Sequence, residues 1–225
     1  MSRLADDQDK EDHDRTTDER LLAVAERLFA QHGIDAVSVR SITIEAEANI
    51  ASVHYHFGTK VDLVRALVER RVDEVNADRR VRLRALDRQS AITARDVASV
   101  WIEPLARLAL DPARRAYLGF IVALNNAGPA MQSIADDVFR PHYSRLDAAL
   151  ERALPGIDTP VRRFRFTLAV HMSMRALADL PHTAAPWRGE RRPIDDRALI
   201  DAIIDAFTGL LEGPRTRSPL PAGKE

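Results

Sequence analysis

Residues 17–57 divide into three short helical segments, each closed by residues that favour a helix end, and this spacing constrains the chain more than any other feature. The first segment opens at Thr16 or Thr17, where Thr16 and Glu19 stand in the capping-box pattern that satisfies free amide donors. Leu21, Leu22, Ala25, Leu28 and Phe29 then recur at helical spacing. His32-Gly33 ends the run, since Gly33 is free to take the left-handed conformation that closes a helix. Ser38 is a good N-cap for a second helix that turns Val39 and Ile42 inward. A break follows at Glu47-Ala48, and Asn49 caps a third helix from Ile50 to about Phe57. Gly58 ends it. Thr59 and Asp62 open a long fourth helix with a buried stripe of Leu63, Val64, Leu67, Val68, Val72 and Val75. Two short helices joined by a tight turn, held by a third, are the layout of a helix-turn-helix unit.

The remainder is helical as well, with no strand pattern, repeat or glycine-rich phosphate loop. Thr93 opens a helix to about Leu110, bent at Pro104. Asp111-Pro112 starts another, to about Asn126. After Gly128-Pro129 a helical stretch reaches Leu154, kinked or split at Pro141. Thr159-Pro160 opens a helix to about Leu180, and Asp195 or Asp196 opens the last, stopped by Gly213-Pro214. Residues 181–193, with Pro181, Pro186, Gly189 and Pro193, read as a loop. Residues 1–15 carry Asp6, Asp7, Asp9, Glu11, Asp12 and Asp14 and almost nothing apolar, so a disordered acidic arm is expected there. The expectation is an all-α protein in four parts. These are the arm (1–15), a helix-turn-helix domain (16–62), a larger helical domain (63–212) and a flexible tail (213–225).

Several function classes fall away. With no cysteine, disulfides and thiolate metal sites are excluded. His54 and His56 stand two apart on a helix and point away from each other, so no metal is expected, and no cofactor. No serine sits in a nucleophile-elbow context, so catalysis is not expected. No apolar segment approaches the length of a membrane span or a signal segment, which leaves the cytoplasm as the expected location and no membrane partner. The net charge of −1 means that any nucleic-acid binding must come from a local surface. The basic run Arg79-Arg80-Val81-Arg82-Leu83-Arg84 reads as a solvated face balanced by Glu69, Asp73, Glu74 and Asp78.

The stretch Val37–Leu63, VSVRSITIEAEANIASVHYHFGTKVDL, carries the functional signal. It resembles the tetracycline-repressor family, and within it the branch whose recognition segment reads like AGVNxAAVNYHFGSK. Ala46, Asn49, Ile50, Ala51, Val53, Tyr55, His56, Phe57, Gly58 and Lys60 match that pattern, and Ser52 and Thr59 are close replacements. The match is specific over about 25 residues. Glu47 stands where the pattern has a turn glycine, a position that often wants positive φ. His54 replaces the usual Asn before Tyr55.

A recognition helix needs one face for its neighbours and one for base edges. Val53 and Phe57 suit the first. Ala51 and Ser52 are small enough for a groove, and His54, Tyr55 and His56 can reach bases or phosphates. Lys60 is placed for a phosphate, Ser38 and Arg40 for the backbone on the other side, and Thr43 and Asn49 complete the candidate DNA-binding set.

The resemblance further implies a C-terminal helical cage for a small molecule, and dimerisation through the last two helices. The sequence permits both. Residues 160–180 carry two apolar stripes, one of Val161, Phe164, Leu168 and Met172, the other of Phe166, Ala169, Val170, Ser173 and Leu177. A helix apolar on two sides must bury both. The candidate lining of the cage is Trp101, Tyr117, Phe120, Leu124, Phe139, Tyr143 and Met172, with Asn125, His142 and His171 as polar anchors. The expected function is a dimeric regulator, by family habit a repressor, released from double-stranded operator DNA by an apolar or amphipathic effector. The long fourth helix is the expected lever. A helical ligand-binding or adaptor protein without specific DNA binding is the alternative, and Glu47, the acidic arm and the neutral charge favour it.

Overall fold

The computed structural model describes residues 2–180 and 195–214, with side chains from Thr17 onward apart from that of His142. The expected loop at 181–193 and most of the expected tail lie outside the described residues. Those described form ten α-helices and no strand. They are α1 (Ser2–His32), α2 (Val39–Glu45), α3 (Ile50–His56), α4 (Lys60–Asp87), α5 (Ala94–Leu110), α6 (Ala116–Asn125), α7 (Pro129–Phe139), α8 (Tyr143–Ala153), α9 (Thr159–Ala178) and α10 (Asp196–Glu212). A 3₁₀ turn at Arg140–His142, with Pro141 in it, splits α7 from α8 as the proline requires. No described helix is long and apolar enough to cross a membrane.

The chain forms two compact units, one of the residues up to Val72 with Gly119–Val138, the other of Asp73–Leu118 with the residues from Phe139 on. These limits differ from the cut expected at 62/63. Both α4 and α6 run from one unit into the other.

In the first unit α1, α2 and α3 pack on one another around Leu21, Ala25, Phe29, Ile42 and Val53, closed by Leu63, Val64 and Leu67 from the start of α4. α1 begins at Ser2, which corrects the disordered arm and the capping box at Thr16. Residues 2–32 hold no proline or glycine, and adding a residue to an existing helix needs no new nucleus. Gly33 and Gly58 close α1 and α3 with φ of +80° and +83°. α6 comes close to α1 because Gly119 has no side chain; a Cβ there would lie 3.0 Å from that of Ala30. The next residue, Phe120, meets Phe29 with ring centroids 6.1 Å apart. Glu26 is buried beside Arg71 at 3.7 Å, and burial pushes its carboxyl above the ordinary range against the pull of Arg71 and Arg70.

The second unit is built on α5, which packs against α8, α9 and α10 and holds Pro104 within it. Thr93 and Asp96 form its capping box. α6 starts at Ala116, later than the expected start at Asp111-Pro112. Asp111 instead ends α5, and its carboxylate and carbonyl accept from the amides of Ala113 and Arg115, making a separate turn. Asp158 precedes α9, where Thr159 was expected to cap, while Asp195 caps α10 as expected, accepting from the Ala198 amide at 2.7 Å. On α9 one stripe (Phe166, Ala169, Ser173, Leu177) is buried. The other is not: Phe164, Leu168 and Met172 are 53%, 43% and 40% exposed.

Candidate nucleic-acid interface

The turn between α2 and α3 is fixed by local chemistry. Ser38 and Ser41 cap α2 reciprocally, each backbone amide donating to the other's hydroxyl, at 3.0 and 3.1 Å. Ala46 ends α2, and the Ala48 amide reaches back to the Thr43 carbonyl at 2.9 Å. Glu47 between them takes φ of +50°, the conformation expected of this position. Asn49 then caps α3, its side-chain oxygen accepting from the Ala51 amide at 3.0 Å. α3 is therefore aimed by three polar side chains and one left-handed residue before any packing is counted.

Val53 is fully buried and pins α3 to the core of its unit. On the outward side Asn49, Ala51, His54 and Tyr55 are exposed, and Ser52 is half-buried. Tyr55 is 76% exposed, an aromatic ring with almost no cover. Ile50 and Ile44 are exposed as well, and the expected set had missed both. Their signal was apolar residues off the buried stripe, which suits contact with thymine methyl groups. Ser38 and Arg40 are exposed at the start of α2.

Three members of the expected set are placed otherwise. Thr43 is buried and its hydroxyl donates to the Arg40 carbonyl at 3.0 Å, so it faces the core and not a groove. Lys60 turns inward. Its Nζ donates to the Ile34 carbonyl at 2.6 Å and lies 5.8 Å from the centre of the Phe29 ring, and burial lowers its pKa against the pull of Asp35. His56 is held by α1, its Nδ1 2.7 Å from Asp18 Oδ1. Lys60 and His56 thus anchor α3 and the start of α4. His54 Nδ1 donates to the Gly58 carbonyl at 2.8 Å, which leaves its other edge outward. Arg27 pairs with Glu45 between α1 and α2. At the start of α4 two hydrogen bonds from Thr59 hold the Asp62 carboxyl below its ordinary value.

The expected effector residues divide. Phe120, Leu124 and Asn125 lie in the first unit, where Phe120 packs on Phe29. Trp101, Tyr117, Phe139, Tyr143, His171 and Met172 lie in the second. Trp101 and Tyr143 are brought together, with centroids 6.3 Å apart, and Tyr117 is buried. His171 and Met172 are on the exposed side of α9, away from any lining role within the unit. The His142 side chain is outside the described residues. Asn76, which the sequence did not single out, and Arg79, which was expected on a solvated basic face and is instead turned inward, are buried in the same unit as Trp101. The signal was available, because Val72, Val75, Asn76, Arg79, Leu83 and Leu86 follow one helical stripe and all are buried.

Two family models match the chain, that of the tetR family of bacterial regulatory proteins over residues 21–67, and that of the tetracyclin repressor-like C-terminal domain over residues 99–209. No curated protein matches the sequence. Among solved structures it is similar to the fatty acid degradation regulator FadR from Bacillus halodurans, at 14% identity and a TM-score of 0.60, over 85% of this chain and 97% of that one. It is also similar to FadR from Bacillus subtilis, solved in complex with stearoyl-CoA, at 15% identity and 0.56, over 84% and 97%. A transcriptional regulator from Rhodococcus is 20% identical, with a TM-score of 0.56 over 86% and 95%. At these identities the likeness is one of fold.

Proposed function

Since the chain belongs to the tetR family of bacterial regulatory proteins, whose members are DNA-binding transcription factors and not enzymes, we propose that it is an effector-released repressor in the cytoplasm. The observation that carries its DNA-binding half is the outer side of α3. A short helix is pinned by a fully buried Val53, yet presents Tyr55 at 76% exposure beside Ala51 and His54. A large ring without cover has a use when another molecule supplies it. Ala51 admits the helix to a major groove, Ile50, His54 and Tyr55 meet base edges or phosphates, and Ser38 and Arg40 hold the backbone.

A two-fold operator needs a two-fold protein. The exposed Phe164, Leu168 and Met172 of α9 and the small exposed residues Ala198, Ala202, Ala206 and Gly209 of α10 suit a helix-on-helix contact with a second copy. The effector binds the helical cage of the second unit. It favours a dimer whose recognition helices no longer fit successive grooves, and occupancy shifts the population by the difference in affinity. α4 carries residues of both units and is the proposed lever.

The test is selection of genomic fragments by the purified protein, followed by release of the selected DNA on titration with small amphiphiles, stearoyl-CoA among them. Release supports the reading, and failure to select any fragment overturns it. One set of observations favours the second reading, a ligand-binding or adaptor protein without specific DNA binding. Lys60 and His56 are tied inward, Arg27 is paired, and Glu47 places an exposed carboxylate in the turn. The fragment selection separates the two.

A further inference from the structure

Arg79 is a buried cation with no carboxylate partner among the described residues. It is 9% exposed, and its Nη1 and Nη2 donate only to neutral oxygens, Asn76 Oδ1 at 3.3 Å and the Trp101 carbonyl at 3.4 Å. Its guanidinium carbon lies 3.7 Å from the centre of the Trp101 ring. The adjacent carboxylate, Asp78, is taken by Arg82 at 3.3 Å and Arg107 at 3.4 Å. Among the described residues no carboxylate pairs with Arg79. Burial pushes its guanidinium down to about 10, against the opposing pull of Tyr143, Tyr117 and Asp78.

The same cluster holds three buried N–H groups with no hydrogen-bond partner among the described residues, Nε of Arg79, Nδ2 of Asn76 and Nε1 of Trp101. Asn76 is 2% exposed and Trp101 5%. All three groups are donors. Nearly every buried polar group in a folded protein is paired, and an unpaired buried charge is the costliest exception. A cation beside three spare donors, one its own and two from neighbours, matches an anion with two or more oxygens, and the fork of a guanidinium matches a carboxylate or phosphate. The surroundings are aromatic: Phe166 lies edge-on to Trp101 at 5.3 Å, and Phe207 lies 5.7 Å beyond Phe166.

We propose that the effector is an anionic amphiphile whose carboxylate or phosphate head group binds Arg79, with the Asn76 amide and the Trp101 indole N–H as accompanying donors. The apolar body lies against the aromatic side chains. This rests on the reading of the chain as an effector-released regulator, and the two fail differently. Loss of the regulator reading shows as absence of DNA binding by the ligand-free protein. Loss of this one shows in the selectivity among ligands.

The experiment uses the full chain and four probe series, each from a six-carbon to a sixteen-carbon tail: alkyl carboxylates, alkyl phosphates, alcohols and trimethylammonium ions. Melting temperature and release of bound DNA are followed for each. Carboxylates or phosphates are expected to raise the melting temperature and release DNA at concentrations about tenfold or more below the matching alcohol, as a charge-assisted hydrogen bond implies. The cationic series is expected to do neither. Comparing the two anionic series tells which head group is taken. Arg79→Met keeps the bulk and removes the charge. It is expected to fold, bind DNA and lose the anion preference. Asn76→Leu leaves the cation in place and is expected to weaken the preference without abolishing it. Alcohols as effective as anions, a preference that survives Arg79→Met, or no response to either anionic series would each overturn the proposal.

Discussion

Glu47 holds φ of +50° in the turn between α2 and α3, where a side chain with a Cβ is strained by roughly 1–2 kcal/mol relative to glycine. Glu47→Gly is expected to raise stability by about 1 kcal/mol, less the extra freedom glycine gives the unfolded chain. It should also tighten DNA binding by removing an exposed carboxylate; urea midpoints and fluorescence anisotropy check the two effects. That position was legible in the sequence because turn geometry is local. Glu26 was not. Its burial depends on α4 folding back past α1, which no local pattern records. Because burial raises its pKa, the folded state takes up its proton at a higher pH than the unfolded state does. Its contribution therefore improves as pH falls from neutral through the raised value, is complete below the ordinary carboxylate value, and is lost again as pH rises. Denaturation of wild type and Glu26→Gln across that window should show the difference between them changing in this sense, with no change expected if Glu26 titrates normally. Thr43, Lys60 and Arg79 failed as sequence readings for one shared reason. Residue type says what a side chain can do, while the neighbouring element decides which way it faces.

Among the elements, α2, α3 and the start of α4 were readable to within a residue or two, since their caps at Ser38, Asn49 and Thr59 hydrogen-bond within their own turns. α1 was misjudged because a polar composition argues against a packed core but not against prolonging a helix that already exists. α9 was readable as doubly apolar, though which stripe its own unit buries follows from α5 and α10. Leu168→Glu puts a charge at the centre of the exposed stripe and should convert the protein to monomers by sedimentation, while leaving the melting of the separated chain within about 0.5 kcal/mol, as for an ordinary surface change. A dimer unaffected by it would move the interface elsewhere. α6 has a different constraint. Gly119→Ala places a methyl group 3.0 Å from Ala30 Cβ, a contact that only a shift of α6 or α1 relieves. A destabilisation of about 1–3 kcal/mol is expected from such overpacking, read from thermal or urea melts. Tyr117, which acts electrostatically on Arg79, stands two residues earlier on the same helix, so the variant is also expected to change the effector concentration needed for DNA release.

At the scale of the whole molecule, a net charge of −1 gives no general attraction for a polyanion, so affinity rests on one small surface. The helix-turn-helix part of that surface was legible because its spacing, caps and motif coincide in one stretch of chain. The proposed effector site was legible only in part: Trp101 of α5 and Tyr143 of α8 were among the expected lining, while Asn76 and Arg79 of α4 join them only after folding. The direct measurement is fluorescence anisotropy on a selected operator fragment at two salt concentrations, for the wild type and for Tyr55→Ala and Arg40→Ala. The account predicts salt-sensitive binding by the wild type. It predicts loss of about 1–3 kcal/mol and of sequence preference in Tyr55→Ala, and weaker binding with a smaller salt slope in Arg40→Ala. Binding by Tyr55→Ala equal to that of the wild type, with the same sequence preference, would contradict it.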